Sequence, residues 1–81
     1  MVNEVLTASS FGEVKSNIDA TLLSLQKQNV SGDNILSFLD STLKEFKSLN
    51  QSRLPYDQYA NIITAKVHLK ELQLRMFNVI N

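Results

Sequence analysis

The chain reads as an all-α protein, a three-helix antiparallel bundle made of a helical hairpin with an additional N-terminal helix. Three observations lead there. Apolar residues recur at intervals of three and four in three separate stretches, the spacing of one face of an α-helix. Polar turns carrying Gly32 and Pro55 separate those stretches. Helix-start signals stand where the stretches begin.

Residues 1–9 are expected to be a flexible start, since no period holds across Val2, Val5 and Leu6, and residues 10–81 to be one helical domain. Ser10 and Glu13 have capping-box spacing, with the serine hydroxyl meeting the amide three residues on and the carboxylate reaching back. Phe11, Val14, Ile18, Leu22 and Leu25 then share one face, with Leu23 off it, over a helix at about 10–29. In the run Val30-Ser31-Gly32-Asp33, Gly32 can take a positive φ and Asp33 can cap the next helix. This second helix, at about 34–49, repeats Leu36, Leu39, Leu43 and Phe46, widened by Ile35, Phe38 and Leu49. Lys44 and Lys47 near its end favour the helix dipole. After the polar turn Asn50-Gln51-Ser52-Arg53, Pro55 fits the first turn of a third helix, where its missing N–H is not needed.

That third helix, about 55–80, is the most regular. Ile62, Ala65, Leu69, Leu72, Met76 and Val79 keep a 3-4-3-4-3 spacing, and with Ile80 they occupy one side. A second apolar stripe, Tyr56, Tyr59, Ile63, Val67, Leu74 and Phe77, falls within another arc of about 80°. Lys66, Lys70 and Gln73 lie in or beside the gap. At ~1.5 Å per residue this helix is roughly 35–40 Å long and outruns the other two. Periodicity alone leaves open which stripe faces the core. The second stripe either touches another neighbour within the chain or forms a partner-binding surface, because shorter helices cannot cover the last turns of a longer one.

Composition bounds the function. The chain has 81 residues, enough for one small domain, with eight Lys+Arg against eight Asp+Glu. A neutral chain with basic residues dispersed over all three helices argues against nucleic acid as partner, and Tyr56 and Tyr59 sit beside one arginine rather than in a basic patch. No apolar run is long enough for a membrane span, and no signal-peptide pattern begins the chain. Cysteine is absent, so neither disulfides nor thiolate metal sites support a domain that buries only ~60–65% of its unfolded surface. A protein partner, or a second copy, is the support that remains.

Catalytic chemistry is poorly provided for. His68 is the only histidine and is expected to be a surface or half-buried helix residue with no functional role. Asp19, Asp33, Asp40 and Asp57 are scattered singly, and Gly12 and Gly32 are isolated, so no acid–base pair, metal cluster or phosphate loop is legible. The expectation is a non-enzymatic protein without metal or cofactor. Asn17 to Leu25 has a passing likeness to the first helix of helical chorismate mutases. Those enzymes bind a dianion with several basic residues, whereas this chain has only Arg53 and Arg75 as arginines.

From about residue 35 onward, Leu36, Leu39, Leu43 and Phe46, the turn at 50–54, Gln58-Tyr59 and then Leu69 resemble the YscE-like co-chaperones of type III secretion. The resemblance spans a little over half the chain, and Lys70 stands where that family tends to carry an acid. It implies a cytosolic bacterial protein that, with a TPR-like chaperone, keeps a secretion subunit unpolymerised. The second helix, Asn50 to Pro55 and the start of the third are also similar to the end of helical-bundle bacteriocin immunity proteins. Those proteins act at the inner face of the producer's membrane and are often basic. A self-assembling structural subunit would use the same stripe for its own copies.

Overall fold

Four helices succeed one another along the chain, α1 (Val2–Leu6), α2 (Phe11–Lys27), α3 (Gly32–Ser48) and α4 (Tyr56–Ile80), and no strand occurs among the described residues. A computed structural model of the chain describes residues 1–49 and 53–80, with 78–80 by their backbone alone. Residues 50–52 of the turn expected at 50–53, and the side chains of Val79 and Ile80, lie outside the described residues. The three long helices fall within two residues of the expected bounds.

Helix α4 packs against each of the other three. Its 25 residues, at ~1.5 Å each, account for the 38 Å long axis of the molecule. Two hollows fix the directions. Leu43 and Lys47, late in α3, lie beside Ile63 and Val67, whereas Leu36, early in α3, lies beside Leu74 and Phe77, so α3 and α4 are antiparallel. Phe11 lies beside Tyr56 and Ala60, and Asp19 meets His68 further along, so α2 and α4 point the same way. The bundle therefore runs up, down, up.

The core is a seam of Val14 and Ile18 from α2, Ile35, Leu39, Leu43 and Phe46 from α3, and Ile62, Ala65, Leu69 and Leu72 from α4. On α3 the buried face is turned slightly from the expected one. Ile35 is buried while Leu36 is half-buried, and Thr42 is buried too, its hydroxyl donating to the Phe38 carbonyl at 2.9 Å. That bond removes the cost of a buried hydroxyl. Phe11, expected on the buried face of α2, is instead exposed at the helix's first position.

Local signals decide the helix ends. The Ser10 hydroxyl accepts from the Glu13 amide as the capping box requires, but the Glu13 carboxylate reaches one residue further back, accepting from the Ser9 amide and hydroxyl. The Ser9 hydroxyl, then its amide, hold the Glu13 carboxyl below the usual carboxylate range. The stability this bond adds is present above the carboxyl's unfolded value and is lost as pH falls through the lowered one. Gly32 does not take the positive φ anticipated for it. Asn29 does (φ 61°), and the bonds from Asn29 N to Gln26 O and from Val30 N to Leu25 O close a Schellman end to α2. Asparagine tolerates the left-handed region because its short polar side chain bonds locally. Ser31 then caps α3 by accepting from Asn34 N, leaving Asp33 in the first turn rather than at the cap. Pro55 stands just before α4, its carbonyl accepting from Tyr59 N.

The start of the chain departs most from expectation. Residues 2–6 form α1 rather than an irregular segment. Five residues are too few for an apolar period to show. Val5 is fully buried, and Met1, Val2 and Leu6 pack against the same core. Asn61 of α4, itself buried, donates its amide to Val5 O at 3.1 Å and Ala8 O at 3.0 Å. Carbonyls at a helix end lack the usual intrahelical partners. Val5 O accepts from Ala8 N at 3.3 Å, and Asn61 adds a second bond to it and one to the Ala8 carbonyl just past the helix. The first turns of α4 thus use part of its surplus length to hold α1.

We expect Asn61→Ala to cost about 1–3 kcal/mol, since it removes both side-chain hydrogen bonds and takes from the half-buried Ala8 carbonyl its donor on α4. Asn61→Asp, almost the same shape, should cost more, because a carboxylate set against two carbonyls has no proton to give. Hydrogen exchange should show the Thr7 and Ala8 amides losing protection in both variants; retained protection would show that α1 docks without this pin.

Candidate protein-binding site

Opposite the seam, α4 presents its second apolar stripe to the outside. Tyr56, Tyr59, Ile63, Val67, Leu74 and Phe77 are all exposed, between 40% and 81% of each side chain remaining accessible. The reason differs from the overhang expected of a long helix. Ile63 and Val67 lie mid-helix alongside α3, and they are exposed because they point away from the seam that α1, α2 and α3 cover. The stripe that faces the intrachain core is therefore the one containing Ile62, Ala65, Leu69 and Leu72.

Four of the six residues come together. Ile63 and Val67, with Leu43 and Lys47 of α3, line one hollow, and Leu74 and Phe77, with Leu36 of α3, line the next. Lys70 borders both, which makes one open groove along the α3–α4 edge. Tyr56 is apart from it, in a separate hollow with Phe11, Asp57 and Ala60 near the α1–α2 connection. Tyr59 is exposed but lines neither. The α3 wall (Leu36, Leu43, Lys47) carries no separate signal in the sequence, because its place depends on which flank of α4 the hairpin folds against.

The groove is basic at its edge. Lys47, Lys66 and Lys70 border it, and no carboxylate among the described residues does. Among the described residues none of these three lysines has a carboxylate within ion-pairing distance, whereas Lys44 nearby is paired with Asp40 at 3.1 Å. The seam beneath has no buried side-chain polar atom without a hydrogen bond among the described residues.

His68 serves the packing. Its half-buried ring places Nε2 2.7 Å from Asp19 Oδ1 and so ties α4 to α2. Among the described residues no three His, Cys, Asp or Glu side chains converge as metal ligands would. No helix among them is long and apolar enough to cross a membrane.

No family model, curated protein or solved structure matches the chain. The residues carrying the YscE-like resemblance divide between the two faces. Leu39, Leu43, Phe46 and Leu69 are buried in the seam, Leu36 and Gln58 are half-buried, and Tyr59 is exposed.

The His68–Asp19 contact joins a half-buried ring to an exposed carboxylate, so solvent screening limits its worth. We expect His68→Ala and Asp19→Ala each to lower stability by about 1 kcal/mol, and the double variant by little more than either alone. Urea unfolding of the three variants gives the coupling, and strictly additive losses would mean that the two side chains do not act together.

Proposed function

We propose that this chain is a small protein-binding module that acts by holding a partner through the outer face of α4 rather than by catalysis. The observation that carries this reading is the exposed stripe itself. A monomeric domain rarely leaves a run of large apolar side chains uncovered along one helix unless something binds there. The stripe also has the form of a helix-in-groove contact, apolar side chains three and four residues apart on a pre-formed helix, and its two tyrosines are of a type enriched at interface anchors. Burying Val67 and Leu74 would contribute about 1.5–3 kcal/mol apiece before association costs.

Within that reading the role that the resemblance implies is a co-chaperone or adaptor. The chain would work in the bacterial cytoplasm, with a TPR-like chaperone, to hold a secretion subunit soluble through this face. The resemblance covers the antiparallel α3–α4 hairpin, whose edge carries the groove.

The test substitutes Val67 and Leu74 together with aspartate. Both side chains are more than half exposed, so circular dichroism should report a helical content close to wild type. Tagged wild-type protein recovered from its native host should carry a stoichiometric partner, identified by mass spectrometry. The Val67→Asp/Leu74→Asp variant should lose it, with affinity for the isolated partner reduced at least ~100-fold. Undiminished binding by a folded double variant would remove this face from the function.

A further inference from the structure

We propose that the groove between α3 and α4 receives an amphipathic helix of another protein that carries carboxylates along its edges. The inference rests on the protein-binding reading and specifies the chemistry of the partner. Its first support is shape. Ile63, Val67, Lys70, Leu74 and Phe77 succeed one another at intervals of 4, 3, 4 and 3, the spacing that lets two helices pack side by side over several turns. Leu36 and Leu43 of α3 supply the second wall, so an incoming helix lies in a trough between two antiparallel helices rather than against a flat face.

The second support is charge. Lys47 stands on the α3 side, Lys66 and Lys70 on the α4 side, and among the described residues no acid lines either hollow. In a chain of zero net charge, this is a local excess that no described carboxylate pairs. Lys70 is the informative residue, because it borders both hollows where they adjoin, between Val67 and Leu74 in the chain. Covering it with an apolar helix would desolvate an ammonium group without a partner, whereas a carboxylate opposite would pair with it.

The same charge weighs against a second copy as occupant. A symmetric dimer presents the same patch to itself, and this patch would bring like-charged lysines together. Complementary charge both steers encounter and excludes wrong partners.

Three synthetic helical peptides about three heptads long test the proposal, each with the same leucine stripe and flanked by Glu, Gln or Lys. Binding to the full chain is read by fluorescence anisotropy at low and high salt. We expect the Glu peptide to bind at least ~10-fold tighter than the Gln peptide and the Lys peptide most weakly, with the preference shrinking as salt screens it. Lys70→Glu combined with Lys66→Glu, both outside the seam, should reverse the order. Equal binding of the Glu and Gln peptides, abolished by Val67→Asp/Leu74→Asp, would overturn the acidic preference while leaving the module reading in place. Failure of all three peptides would overturn this inference, and the separate test with the native partner would still decide the module reading. Binding to phosphatidylserine vesicles in place of any peptide, or a concentration-dependent dimer in light scattering that excludes the Glu peptide, would also overturn it.

Discussion

Close packing along one face of α4 is the constraint on which the rest of the molecule depends. Ile62, Ala65 and Leu69 are fully buried and Leu72 nearly so, and α1, α2 and α3 all pack against this helix. Ala65, the smallest side chain of the row, is buried as completely as its neighbours. A domain of this size has no disulfide to limit its unfolded state, so the transfer of these apolar side chains from water must outweigh most of the chain entropy lost on folding. The opposite face of the same helix stays outside this seam and largely exposed.

This division gives the exposed stripe its meaning. A side chain such as Leu74 contributes nothing to the seam, yet it is large, apolar and held in a fixed helical register. The polar groups reinforce the separation. Thr42, Asn61 and His68 are each bonded at or near the seam, whereas Lys47, Lys66 and Lys70 border the groove with no carboxylate partner among the described residues.

The long helices and both stripes of α4 were legible in the sequence because a 3.6-residue period written over many residues has few other readings. The Ser10 cap was legible for a similar reason, since a side chain and an amide three residues apart leave little choice. What could not be read was anything that depends on residues distant in the chain. Asn61 looks like any polar helix residue until α1 is placed against it, and α1 is too short to announce itself. The exchange of Ile35 for Leu36 at the core reflects a small rotation of α3 that is set by its contact with α4. The end of α2 turned on Asn29 rather than on the nearby glycine, because the left-handed position falls where the helix runs out. Of the candidate site, the stripe was readable, but its grouping into a groove was not, since the α3 wall depends on which flank of α4 the hairpin closes against.

The division of α4 into a face that folds the chain and a face that does not is tested most directly by urea unfolding of Leu69→Ala beside Leu74→Ala. The two changes delete the same atoms from the same helix, five residues apart. Leu69→Ala should cost about 2–5 kcal/mol, as core truncations of leucine do, enough to leave so small a domain largely unfolded. Leu74→Ala should stay within about 0.5 kcal/mol of wild type, as substitutions at exposed sites do. Comparable losses at the two positions would show that the outer stripe is part of the fold, and the groove would then have no surface to offer a partner.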